Sequence, residues 1–140
     1  FDDIHKNKGA PLGYIIEEFI QSGLIEILIG FVRDPNHGFL LTIGEGGVLS
    51  EMRNDTQNLL LPVNEEMILK ALEDLKIWPI LKGYRGKLKI DLKPILNTIL
   101  KIQDFIIKNP DEIVEIEINP LILSEDRCIA ADALVSKQKI

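Results

Sequence analysis

An α+β fold, with helices packed on one face of a largely antiparallel sheet, follows from three features of the 140 residues. Runs rich in Ile, Leu, Phe and Val, broken by turn residues, occupy the first part, and two segments with helical periodicity occupy the middle. A period-two strand and a hairpin close the chain. Strands, then helices, then a hairpin is the order of segregated elements rather than of alternating βαβ units. The length, with 46% apolar and 27% charged residues, suits one compact domain over residues 1–140 and leaves no room for a second core.

The early strands are expected over residues 13–20, 24–32, 39–43 and 48–53. Asp34-Pro35-Asn36-His37-Gly38 joins the second to the third, because Pro35 pre-sets one turn dihedral and Gly38 tolerates a positive one. A link this short makes those two strands antiparallel. Asn64 is a suitable N-cap for a helix over 64–76, with Glu65 and Glu66 in the positive first turn and Ile68, Leu69, Leu72 and Leu75 on one stripe. Asp91 opens a longer helix over 91–108, whose core face is Leu92, Ile95, Leu96, Ile99, Ile102, Phe105 and Ile106, and Asn109-Pro110 closes it. Over 113–119, Glu115, Glu117 and Asn119 alternate with Val114, Ile116 and Ile118, the pattern of a strand with one buried face. After Pro120, segments 121–123 and 128–135 form a hairpin about Ser124-Glu125-Asp126-Arg127.

A net charge of −6 excludes wholesale nucleic-acid binding, which needs a basic surface to displace counterions. No apolar run reaches the roughly 20 residues that span a bilayer, so no membrane partner is expected. A single cysteine, Cys128, excludes an internal disulfide framework and agrees with a reducing, cytoplasmic setting. The chain begins at Phe1 rather than Met, as a piece of a longer protein or a processed chain would.

The sharpest chemical signal is Glu117-Ile118-Asn119-Pro120-Leu121 followed by Asp132 on the next strand. Mg²⁺ takes oxygen ligands and keeps several waters, so one or two protein oxygens plus nucleotide phosphates suffice. Asn119 and Asp132, facing each other across a hairpin, can supply them; acidic residues at alternate positions also suit an ordinary solvated sheet face. Asp132 lies in the apolar run Ile129-Ala130-Ala131-Asp132-Ala133-Leu134, where an unpaired carboxylate is costly. Lys82, Arg85, Lys87, Lys89 and Lys93 against Asp91 form a basic patch able to meet phosphates or an acidic partner, or simply a solvated loop. Arg85 and Arg33 offer planar guanidinium forks for phosphate. Cys128 and Trp78 read as packing residues.

Taken in order, Ile16-Glu17-Glu18-Phe19-Ile20, Glu26-Ile27-Leu28-Ile29-Gly30, Arg33-Asp34-Pro35, Gly44-Glu45-Gly46-Gly47 with Glu51, Leu81-Lys82-Gly83-Tyr84-Arg85-Gly86 with Asp91, and Glu117-Ile118-Asn119-Pro120-Leu121 with Asp132 resemble one family. It is the ATP-grasp domain, in its C-terminal part, of ADP-forming acetyl-CoA synthetases, relatives of the succinyl-CoA synthetase β subunit. The resemblance implies ATP or ADP between two α+β lobes with Mg²⁺ on its phosphates. Glu17, Glu18, Phe19 and Ile20 would be the hinge strand pairing with the adenine edge, and Glu26 would face the nucleotide. Asn119 and Asp132 match the metal positions, with Glu117 behind them. The glycine loop 44–47 matches a segment near the phosphates or a subunit contact, and a bare GxGG is equally a tight turn.

The implied reaction interconverts acyl-CoA, nucleoside diphosphate and phosphate with acid, CoA and nucleoside triphosphate, through an acyl phosphate and a phosphoenzyme. The phosphohistidine belongs to the CoA-ligase portion, so neither His5 nor His37 takes that role. The resemblance also implies that CoA is bound by other domains or an α-type subunit, and that these 140 residues alone are inactive. Apolar surface facing the rest of the enzyme would favour self-association. The alternative is a regulatory or scaffold module that kept the fold and lost turnover.

Overall fold

The computed structural model describes residues 14–20, 25–47, 54–84, 89–124 and 127–138. Nine elements succeed one another among them: strands β1 (Ile25–Asp34), β2 (Gly38–Glu45) and β3 (Thr56–Leu60), helices α1 (Glu65–Glu73), α2 (Trp78–Leu81) and α3 (Lys93–Lys108), then β4 (Ile113–Leu123), β5 (Cys128–Ala130) and β6 (Ala133–Lys137). The strands form one sheet in the order β3-β2-β1-β4-β5, with β6 also paired to β4, and every pairing is antiparallel. The helices cover one side of it, as expected for α+β.

Strand alternation builds the core. Ile27, Ile29 and Phe31 of β1, Leu41 and Ile43 of β2, and Ile116, Ile118, Leu121 and Leu123 of β4 are buried in one cluster with Ile68 and Leu72 of α1 and Ile95, Ile99 and Ile106 of α3. The turn joining β1 to β2 is held by Asp34, whose Oδ1 accepts the Asn36 N–H at 2.9 Å, the His37 N–H at 2.8 Å and a 2.8 Å contact from His37 Nδ1. Gly38 comes next at φ +92°, where an L side chain is strained.

Asn64 caps α1 by accepting the Met67 N–H at 2.9 Å, and the helix stops at Glu73 rather than residue 76. Beyond it the chain turns about Asp55, a 5% exposed carboxylate whose two oxygens accept the Lys76 and Ile77 N–H groups at 2.9 and 3.2 Å. Helix α3 begins at Lys93, with Asp91 Oδ1 accepting the Lys93 N–H at 3.0 Å. Its buried stripe runs through Ile95, Ile99, Gln103 and Ile106, while Phe105, expected inside, is 47% exposed. Gln103 takes the core position because its amide pairs with a backbone: Nε2 donates to the Val63 carbonyl at 3.0 Å and Oε1 accepts the Val63 N–H at 2.6 Å.

The structure departs from the sequence expectations at further points. Residues 14–20 form no strand; Tyr14, Ile15, Ile16 and Phe19 stand 64–97% exposed, and no sheet edge receives their backbone. Strand β3, with Thr56, Gln57 and Asn58 at its start, is hidden in the sequence by polar residues that suit a sheet edge. Strand β4 runs unbroken through Pro120 to Leu123, and the strand expected over 128–135 is split into β5 and β6 around Asp132. Asp132 is consequently exposed, so no burial cost bears on it. The strand expected over 48–53 lies outside the described residues.

Gln103→Met strands the Val63 N–H and C=O in the interior, where each unsatisfied group costs roughly 1–3 kcal/mol, so urea unfolding is expected to show a loss of about 2–4 kcal/mol at unchanged m. An unmoved midpoint would contradict this pairing. The Asn36 N–H, the His37 side chain and the His37 N–H hold the Asp34 carboxyl below its ordinary value of 3.8. A depressed folded-state pKa contributes stability above the unfolded value and loses it as pH falls through the folded one. An NMR titration should therefore place the Asp34 midpoint below 3.8 and move it upward in His37→Ala.

Candidate functional site

Site geometry begins with a mismatch between β1 and β4. Ile27 pairs with Leu121 and Ile29 with Ile118, so β4 uses one residue more than β1 between those pairs. The extra residue falls at Asn119-Pro120, a β-bulge, and Pro120 suits a place where no ladder N–H is required. Opposite the bulge the outer strand is interrupted between β5 and β6. There the Asn119 N–H donates to the Asp132 carbonyl at 3.2 Å, and the Ala131 N–H to the Pro120 carbonyl at 3.0 Å. The structure thus brings Asn119 and Asp132 together across neighbouring strands, with Asn119 half-buried and Asp132 exposed.

Two further groups reach the same corner from the other side of β1. The chain leaving β2 turns so that the Gly46 N–H donates to the Glu26 carbonyl at 2.9 Å. Next, the Gly47 N–H donates to Asn119 Oδ1 at 3.2 Å. At Gly47, φ is +84°, and the space a Cβ would take is filled by the Glu26 carboxylate. Glu26, Gly46, Gly47, Asn119 and Asp132 therefore form one cluster at the end of the sheet. Glu117 lies two residues from Asn119 on β4, paired with Gly30 and Leu134, about 7 Å along the strand.

The remaining expected residues sit apart from that corner. Glu17, Glu18, Phe19 and Ile20 lie in the irregular 14–20 segment; Arg127 Nη2 meets Glu18 Oε1 at 3.3 Å, an exposed pair beside the turn after β4. Arg33, at the far end of β1, donates from Nε to the Ile113 carbonyl at 3.1 Å and stacks 5.1 Å from the Phe39 ring centroid, a structural arrangement. His37 is at the exposed hairpin tip. Within the basic patch, Arg85 and Lys87 lie outside the described residues, as do His5 and Glu51, while Lys82 stands 5.7 Å over Trp78. Lys89 and Lys93 border a shallow groove of about 490 Å³ on the helical layer, floored by Leu69, Ile90, Leu92 and Leu96. Cys128 packs against the core with Sγ 3.4 Å from Thr98 Oγ1.

The side-chain donors seen at the corner are oxygens, Asn119 Oδ1 and the Glu26 carboxylate, and Asp132, tied to Asn119 through its backbone carbonyl, carries a further exposed carboxylate. Among the described residues no three His, Cys, Asp or Glu side chains gather closely enough to hold an ion by themselves. That donor set fits Mg²⁺, which draws most of its shell from phosphates and water, and it does not fit a thiolate- or imidazole-bound transition metal. The resemblance puts the 44–47 loop near the phosphates or a subunit contact, but not the contact of Gly47 with Asn119. The GxGG spacing marks a tight turn, but only the fold brings it to Asn119, 72 residues away.

Known proteins resemble this chain in sequence and fold. The ATP-grasp domain family matches residues 3–136. ADP-forming acetate–CoA ligase I subunit beta of Pyrococcus furiosus is 34% identical over 86% of this chain and 51% of its own length. The ADP-forming acetate–CoA ligase of Methanocaldococcus jannaschii is 34% identical over 89% of this chain and 18% of its own. Among solved structures, dinucleotide-forming acetyl-coenzyme A synthetase 1 of Ca. Korarchaeum cryptofilum, in complex with coenzyme A and Mg-AMPPCP, superposes with a TM-score of 0.77 at 26% identity, covering 84% of this chain and 55% of that one. The chain thus spans about half or less of the length of these relatives. With a match across nearly all its residues, the chain belongs to the ATP-grasp domain family.

Proposed function

We propose that Glu26, Asn119 and Asp132 form the nucleotide and metal end of a C-terminal ATP-grasp lobe, working as part of a nucleoside-diphosphate-forming acyl-CoA synthetase. The observation that carries this reading is the convergence at the β4 bulge, where the Asn119 amide oxygen, the Glu26 carboxylate of β1 and the backbone of Asp132 at the β5–β6 break share one corner. The relatives named as ADP-forming acetate–CoA ligases and the relative solved with Mg-AMPPCP support it.

Asn119 Oδ1 and the Asp132 carboxylate would hold Mg²⁺, Glu117 would stand behind them, and Glu26 would face the nucleotide. Bound Mg²⁺ supplies charge neutralisation to the phosphates during phosphoryl transfer. The chain's own contribution is orientation: β4 fixes Asn119 and Asp132 from opposite sides of one hydrogen-bonded pair, and β1 fixes Glu26. The backbone of Glu17, Glu18, Phe19 and Ile20 carries no sheet pairing here, which leaves its N–H and C=O groups for an adenine edge. Exposed Ile15, Ile16 and Phe19 call for a cover, which the other lobe of the domain would provide. CoA would bind to a separate CoA-binding and ligase domain or an α-type subunit.

The overall reaction is acyl-CoA, nucleoside diphosphate and phosphate to and from acid, CoA and nucleoside triphosphate. None of the described helices is long and apolar enough to cross a membrane, and with a net charge of −6 and one cysteine we place the protein in the cytoplasm without a nucleic-acid partner. Isothermal titration of MgATP and MgADP into the chain joined to the other lobe of its ATP-grasp domain tests the site. Binding is expected to need Mg²⁺ and to weaken at least about tenfold, on the order of 1.4 kcal/mol, in Asn119→Ala and in Asp132→Ala. Binding by both variants as tight as by the unaltered protein would overturn the metal assignment, and absence of Mg-dependent binding by the unaltered protein would favour the scaffold module.

A further inference from the structure

We propose that the Gly46-Gly47 turn is a positioning element, in which the Gly47 N–H sets the orientation of the Asn119 carboxamide and the bare Gly47 α-carbon makes room for the Glu26 carboxylate beside it. This rests on the reading of Asn119 as a cation ligand and adds the group that aims it.

Three consecutive N–H groups leave β2 toward three different segments. Glu45 donates to the Asp55 carbonyl at 3.0 Å, Gly46 to the Glu26 carbonyl at 2.9 Å, and Gly47 to Asn119 Oδ1 at 3.2 Å. The turn is thereby tied to the entry of β3, to β1 and to β4 at once. Its path admits no side chain at Gly46 and disfavours one at Gly47. A Cβ on Gly46 would lie 2.7–3.0 Å from the backbone of Ile27, closer than real Cβ atoms come. A Cβ on Gly47 would meet the Glu26 carboxylate, and φ of +84° disfavours any L residue. The backbone of residues 46–47 therefore lies directly against β1, with its next N–H presented to β4.

Asn119 is consequently held from both ends. Its own N–H is bound to the Asp132 carbonyl at 3.2 Å, and its Oδ1 accepts from Gly47. A carboxamide oxygen has two lone pairs, so one hydrogen bond fixes the plane and leaves the other pair for a cation. Outer partners of metal ligands act in this way, and losing one typically costs roughly 10–100-fold in metal affinity. A backbone donor locked by two glycines is a stiff version of such a partner.

The test measures Mn²⁺ binding by electron paramagnetic resonance in the presence of ADP, alongside ADP binding without metal and thermal melting, in the chain joined to the other lobe of its domain. Gly47→Ala is expected to raise the Kd for Mn²⁺ about 10–100-fold, well beyond any change in metal-free ADP binding caused by moving the Glu26 carboxylate. Gly38→Ala is the control, because Gly38 has a similar φ of +92° with open space around it, at the far hairpin. It should lower the melting temperature through the same backbone strain and leave Mn²⁺ binding unchanged. Equal Mn²⁺ affinities in the two variants would overturn the inference. If Asn119→Ala keeps full Mn²⁺ affinity, the ligand reading itself fails; if Asn119→Ala loses it and Gly47→Ala does not, only the positioning role fails. Should Gly47→Ala not fold, the Gly47 amide resonance decides instead: it should shift on adding MgADP to the unaltered protein and not to Asn119→Ala, and an unmoved resonance in both would overturn the proposal.

Discussion

Strand β1 is hydrogen-bonded along both edges, to β2 and to β4, and its alternation is imposed on the strands beside it. Ile27, Ile29 and Phe31 are wholly buried on the helical side, so truncating any of them to Ala would cost on the order of 2–5 kcal/mol. The intervening residues, Glu26, Leu28, Gly30 and Val32, are thereby committed to the other face. That commitment puts Glu26 at the corner with the β4 bulge. If β1 slipped by one residue, the core would lose its apolar row and the corner would lose its carboxylate.

Two buried polar side chains keep the layers in place. Asp55 ties the entry of β3 to the turn after α1, and Gln103 ties α3 to the segment before α1; each answers backbone groups that would otherwise be unpaired. Their side chains serve the helical layer, and the Asp55 carbonyl also accepts the Glu45 N–H beside the glycine turn. The opposite face carries half-exposed Val32, Leu40, Leu60 and Leu134, and farther along the strands Glu26 and Glu117. Stability is thus concentrated on one face and binding potential on the other.

Much of this architecture is readable from local pattern. The Asp34–Gly38 hairpin, the Asn64 cap and the alternation about Ile116 and Ile118 each follow from a few neighbouring residues, and the structure agrees with all three. Asn119 beside Asp132 is also legible, because a hairpin brings near neighbours together. The break at Asp132 is not, since Ile129 to Leu134 reads as one apolar run and only the bulge opposite interrupts it. Gln103 inside the core and Phe105 outside it invert simple hydropathy, because the partner that decides the matter is the Val63 backbone on another element. Residues 14–20 have strand composition without a strand, since composition supplies no neighbouring edge. Gly47 against Asn119 is a contact over 72 residues and has no local signature.

Paramagnetic broadening by Mn²⁺ with ADP, read on the backbone amides and asparagine side chains of the protein joined to the other lobe of its domain, tests the central claim most directly. The account predicts that Gly47, Asn119 and Asp132 broaden first, while Asn36 and Gly38 at the far hairpin stay sharp. Broadening centred on the Lys89–Lys93 groove or the hairpin, with Asn119 unaffected, would contradict it.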